Sequence, residues 1–127
     1  MRHVALFVAA LVAALALSAV ALAAGGVAGT YATTIKSPAQ VKGKWVLKLA
    51  KGGTYTVALN GKRLARGTYS ATATTITLRE SAANGCGGSG TYAWKKSGKT
   101  LTFVRKREAA SCQGRAAVLA HRFTQVG

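Results

Sequence analysis

Residues 43–79 read GKWVLKLAKGGTYTVALNGKRLARGTYSATATTITLR, and polarity alternates along most of the stretch. Trp45, Leu47 and Leu49 fall on one side of an extended chain, with Lys44, Val46 and Lys48 on the other. Tyr55, Val57 and Leu59 oppose Thr54, Thr56 and Ala58 in the same way, and Ile76 and Leu78 oppose Thr75, Thr77 and Arg79. A period of two is the mark of a β-strand, and one apolar face against one threonine- and lysine-rich face is the mark of an antiparallel sheet with one wet side. Turn chemistry separates the runs: Lys51-Gly52-Gly53 joins two of them, and Asn60-Gly61 is a strong two-residue hairpin signal.

The same pattern extends outward. Tyr92 and Trp94 oppose Thr91, Ala93 and Lys95, and Leu101 and Phe103 oppose Thr100, Thr102 and Val104, with a further turn at Ser97-Gly98. Eight strands are predicted, near 29–35, 44–50, 53–59, 63–72, 74–80, 90–96, 99–106 and 121–126. The longer connections are 36–43, 81–89 and 107–120, the last holding a helical turn that Gly114 interrupts. Short antiparallel strands in meander order close most simply into an up-and-down barrel, which leaves no free sheet edge. The predicted fold class is all-β, an eight-stranded antiparallel up-and-down barrel with one disulfide.

The tripeptide Gly-Thr-Tyr occurs at 29–31, 53–55, 67–69 and 90–92 and contains every tyrosine of the chain. Its spacing is irregular, so it is not a structural repeat. Each copy puts glycine near a bend or strand start, threonine outward and tyrosine inward, a device for coiling a small barrel.

The 127-residue chain opens with a short positive end (Arg2, His3) and an apolar run from Val4 to Ala24. Ala21-Leu22-Ala23 supplies a small-x-small site, so residues 1–23 are read as a secretory signal peptide and 24–127 as the barrel domain. Left uncleaved, the run is long enough to anchor the chain in a bilayer; cleaved, it leaves no membrane span. In an exported protein Cys86 and Cys112 favour a disulfide over two buried free thiols. The charge is one-sided: eighteen Lys and Arg face only Glu80 and Glu108, for a net charge of +16. Such a surface attracts polyanions.

Gly43-Lys44-Trp45 resembles the G-x-W signature of the calycins, the superfamily of lipocalins and fatty-acid-binding proteins. The resemblance implies that Trp45 closes one barrel end with an arginine, Arg122 or Arg115, packed across it. The domain is also similar to small lipocalin-like domains of secreted bacterial proteins, in GGTYTV (52–57), the paired cysteines and Cys112-Gln113-Gly114-Arg115. A strand at 29–35 precedes the G-x-W here, whereas lipocalins carry it on their first strand.

The side-chain inventory argues against an enzyme. General acid–base chemistry needs a tuned histidine or carboxylate, and beyond residue 23 the chain offers only His121, Glu80 and Glu108, none in a recognisable motif. No metal constellation or cofactor motif is present in the sequence, and no specific nucleic-acid partner is expected. The expected role is a monomeric, extracytoplasmic, lipocalin-like binder of a small apolar or aromatic molecule. Its candidate cavity is lined by Tyr31, Trp45, Tyr55, Tyr69, Tyr92, Trp94 and Phe103, whose hydroxyls would need a polar-tipped ligand, water or protein partners. A packed core without a cavity is the alternative for these residues. Two other roles compete: a cell-envelope module gripping polyanions through its basic surface, and a small secreted protease-inhibitor-type barrel.

Overall fold

Every alternating run forms a strand. The computed structural model describes residues 26–127, so the signal peptide expected over 1–23 lies outside the described residues. The strands are β1 (Gly29–Ile35), β2 (Gly43–Leu49), β3 (Thr54–Leu59), β4 (Lys62–Ala71), β5 (Thr75–Arg79), β6 (Ser89–Ser97), β7 (Thr100–Glu108) and β8 (Phe123–Gln125). They pair antiparallel in chain order, and β8 returns to β1 to close the barrel. The closing strand is the shortest. It matches only two residues with each neighbour, Thr124 and Gln125 against β1 and Phe123 and Thr124 against β7. Backbone bonds from Gln125 to Lys99 (2.7 Å) and from Val126 to Thr30 (2.8 Å) extend that seam.

Up-and-down order sorts the connections to two ends. The tight β2–β3, β4–β5 and β6–β7 turns share one, here the turn end, with Gly26 and Gly127, the first and last described residues. The β1–β2, β3–β4, β5–β6 and β7–β8 connections share the other, the loop end. Asn60 (φ 51°) and Gly61 (φ 84°) form the β3–β4 turn in the left-handed region that a two-residue hairpin requires.

Two bulges reset the alternation. On β4, Ala65 faces Val57 and Arg63 faces Ala58, which leaves Leu64 as an extra residue. On β7, Arg107 faces Thr91 and Arg105 faces Tyr92, which leaves Lys106 extra. Each bulge bends its strand and moves the residues beyond it to the opposite face.

The β7–β8 connection departs from its sequence reading. Gly114 does not interrupt the helix: α1 runs from Gln113 to Leu119, with Gly114 inside its first turn. Glycine costs a helix about 1 kcal/mol relative to alanine, and burial of the apolar face outweighs it. Arg115, Val118 and Leu119, at the spacing of one helical face, turn toward the barrel, where Val118 and Leu119 are buried. The helix thereby shortens the last strand at its start, from the expected 121 to Phe123. Among the described residues no helix is long and apolar enough to cross a membrane.

The interior holds Tyr31, Ile35, Leu47, Leu49, Tyr55, Tyr69, Ile76, Leu78, Tyr92, Leu101, Phe103 and Phe123, all buried. Phe103 meets both Tyr92 and Phe123 edge-to-face, at centroid distances of 6.2 and 6.0 Å. The disulfide joins Cys86 in the β5–β6 loop to Cys112 just before α1.

Candidate functional site

The barrel opens at its loop end. A cavity of about 630 Å³ lies between the β3–β4 hairpin, the β5–β6 loop and α1. Its apolar wall is Trp45, Leu47 and Val57 from the sheet, Val118 and Leu119 from α1, and Phe123 from β8. Arg63, Leu64 and Arg66 form its outer rim on β4. The Leu64 bulge places them there, and Leu64 is half exposed. Arg66 is tied to the β5–β6 loop by its Nε, 3.1 Å from Asn84 Oδ1, and by its backbone amide, 3.0 Å from the Asn84 carbonyl.

Beside the cavity lies a buried charged cluster that the sequence reading missed. Both acidic side chains of the chain, Glu80 and Glu108, converge on Arg115. Arg115 Nη2 donates to Glu108 Oε1 at 2.6 Å and its Nε to Glu108 Oε2 at 3.0 Å, a bidentate pair. Its Nη1 lies 3.6 Å from Glu80 Oε2, and its Nη2 also donates to the Gly88 carbonyl at 3.3 Å. The same two carboxylates also accept from the backbone amides of Cys86 (to Glu80) and Ala109 (to Glu108), both at 2.9 Å, and from the hydroxyls of Tyr55 and Tyr92. All three charged side chains are at least nine-tenths buried. Glycine makes the room: a Cβ at Gly85 would overlap the Glu80 carboxylate, and one at Gly90 would overlap that of Glu108. Burial pushes the Glu108 carboxyl up, but the bonds from Arg115 and Tyr92, the Arg115 charge and the Ala109 amide outweigh it and hold its pKa low. Burial, then the hydrogen bond to a glutamate, pushes the hydroxyls of Tyr55 and Tyr92 well above the ordinary tyrosine value.

The residues expected around one cavity are distributed through the whole barrel. Of Tyr31, Trp45, Tyr55, Tyr69, Tyr92, Trp94 and Phe103, only Trp45 lines the loop-end cavity. Trp45 is buried and donates its Nε1 to the Val41 carbonyl at 2.7 Å, which ties it to the β1–β2 connection at the loop end. Arg115 borders the same cavity, while Arg122 is exposed. Trp94 sits at the turn end, where its Nε1 donates to the Thr72 carbonyl at 3.0 Å. The four tyrosines are buried, and all four hydroxyls bond protein: Tyr31 to the Val27 carbonyl (2.8 Å), Tyr69 to the Ala50 carbonyl (2.6 Å), Tyr55 to Glu80 and Tyr92 to Glu108. Their partners divide them. A hydrogen bond between neutral groups contributes about 1 kcal/mol, and one to a charged group about 1.5–3 kcal/mol. Tyr92→Phe should therefore lower the urea midpoint more than Tyr69→Phe; equal shifts would mean the glutamate bonds carry no extra weight.

Among the described residues no three His, Cys, Asp or Glu side chains gather as metal ligands would. One signal for the charged cluster was present in the sequence: the only two acids of a strongly basic chain each precede one of its two cysteines by a few residues. Comparison with known proteins leaves the cavity to be read from its own geometry: no family model matches the chain, and neither a curated protein nor a solved structure does.

Proposed function

We propose that this protein is a secreted, lipocalin-like barrel that carries or senses a small apolar or aromatic molecule in its loop-end cavity. The cavity carries the reading. Its volume, about 630 Å³, falls within the range of small-molecule sites, which are mostly apolar with a few fixed polar groups. Trp45, Leu47, Val57, Val118, Leu119 and Phe123 supply the apolar surface, and Arg63 and Arg66 supply charge at the rim. Support for the lipocalin likeness comes from the closed eight-stranded barrel and from a G-x-W tryptophan at one barrel end. The disulfide fits an oxidising compartment and so accords with export. The polar groups that border the cavity from within, Glu80 and Arg115, are already paired with each other and with protein, an arrangement suited to holding a wall rather than to turning over a substrate.

The test is a titration with the apolar aromatic probe N-phenyl-1-naphthylamine. In Trp94→Phe protein, Trp45 is the only remaining tryptophan, and it should be quenched as the probe binds. Val57→Trp, which fills the cavity from the sheet side, should weaken binding about tenfold or more, since ordinary pocket contacts each contribute 1–3 kcal/mol. Probe binding that is indifferent to Val57→Trp, or no quenching of Trp45, would overturn the assignment.

A further inference from the structure

Both acids of this chain are used inside the barrel, so its outer surface carries basic side chains and no acidic one. Glu80 and Glu108 are the only carboxylate side chains in the sequence, and their exposures are 4% and 0%. The surface field is therefore unopposed, and its sources are ordered by the sheet register. On the outer face, Lys48 of β2 lies opposite Thr56 of β3, which lies opposite Arg66 of β4. One row along, Thr68 of β4 lies opposite Arg79 of β5. In the next row Thr77 of β5, Thr91 of β6 and Arg107 of β7 lie side by side. Lys48, Arg66, Arg79 and Arg107 are all exposed. They form a diagonal stripe across six strands, with threonine hydroxyls between successive cations. Adjacent strands are about 4.8 Å apart and two residues along a strand about 6.7 Å, so the cations recur at roughly 8–12 Å. Between β3 and β5 the stripe runs through a shallow outer groove of about 750 Å³, whose lining includes Thr56, Arg63, Arg66, Thr68 and Arg79 and reaches Glu80, which is 4% exposed and paired with Arg115.

The geometry points to this stripe as the binding site for a linear acidic glycan. Arginines in register would take its repeated sulfate or carboxylate groups, and the threonine hydroxyls its sugar hydroxyls. A single-stranded nucleic acid is the less suited polyanion, because its bases need aromatic side chains to stack on. Here all four tyrosines, Trp45, Phe103 and Phe123 are buried, and Trp94 is half-buried with its Nε1 bonded to the Thr72 carbonyl. The stripe lies on the outer wall and does not depend on the cavity having a ligand.

Heparin is the probe for the site, with oligothymidylate as the competing class. Arg79→Glu with Arg107→Glu reverses two charges on the stripe; Lys36→Glu with Lys42→Glu reverses two exposed charges on the β1–β2 connection, off the stripe. The stripe pair should weaken heparin binding about tenfold or more and lower its logarithmic salt dependence by about two, while the control pair weakens it less than about threefold. All four positions are exposed, so both proteins should keep the parent unfolding midpoint. Equal weakening by the two pairs would overturn the site in favour of net charge alone. Oligothymidylate binding as tightly as heparin would overturn the glycan assignment, and absence of heparin binding at low salt would overturn both.

Discussion

Arg115→Met should cost the fold about 3–5 kcal/mol, the loss expected when one member of a buried ion pair is removed and its partner is left uncompensated. The loss is expected at the high end because two carboxylates are stranded at once: Glu108 loses a bidentate partner at 2.6 and 3.0 Å, and Glu80 loses the cation 3.6 Å away. Methionine keeps much of the volume, so the effect is electrostatic rather than a cavity. Adding Glu80→Gln and Glu108→Gln to the same protein should recover a good part of the loss, since neutral amides can remain in the site without a cation. Urea unfolding of the single and triple variants checks this, and a triple variant less stable than Arg115→Met would contradict it. Acid should reproduce part of the effect. The folded pKa of Glu108 lies below its unfolded value, so its stabilising contribution is complete above the ordinary glutamate pKa of about 4.3. That contribution is lost as pH falls through the lower, folded value. Stability should therefore fall steeply below about pH 4 in the parent and less steeply in the triple variant.

Cys112→Ser should lower stability by about 2–5 kcal/mol, the usual loss when a small exported domain is deprived of its disulfide. In the parent, intact mass under non-reducing conditions should be two hydrogens below the free-thiol value, and no cysteine should react with a thiol reagent before reduction. Here the bond does more than shorten the unfolded chain. It clamps the β5–β6 loop, whose Cys86 amide holds Glu80, to the turn that leads into Arg115. Removing the bond and removing Arg115 therefore act on the same piece of structure, and the double variant should lose less than the sum of the two single losses. Strict additivity would show that the loop keeps its position without the crosslink.

Alternating runs such as Lys44–Leu49 and Thr54–Leu59 were legible in the sequence because one side of each strand is dry along its whole length. Asn60-Gly61 was legible because few dipeptides adopt two successive positive φ values. The cysteine pairing followed from an even count in a chain whose start reads as an export signal. Glu108 illustrates what was not legible. Continued from Leu101 and Phe103, simple alternation would send Arg107 inward and Glu108 out. The extra residue at Lys106 shifts the phase by one, so Glu108 points inward opposite Gly90 and Arg107 joins the outer face. The Leu64 bulge likewise sets Arg63 and Arg66 on the cavity rim. Bulges depend on how two strands twist against each other, which no single strand's pattern records. The tyrosines were placed inward correctly, but their partners are a carbonyl in a distant turn or a glutamate brought in by a loop, so the pattern could not separate a lining residue from a pinned one.

The two ends of the barrel have different uses for anything joined to the chain. A Cβ on Gly26 would lie 3.8 Å from the Trp94 ring, and the Gly127 carbonyl accepts a bond from the Thr30 amide, so both ends of the described residues lie beside the tight turns. The mouth framed by Leu64 and α1 faces the opposite way. Anything joined at Gly26 or Gly127 would therefore sit at the end away from that opening. A fusion partner placed there should leave access to the opening unchanged.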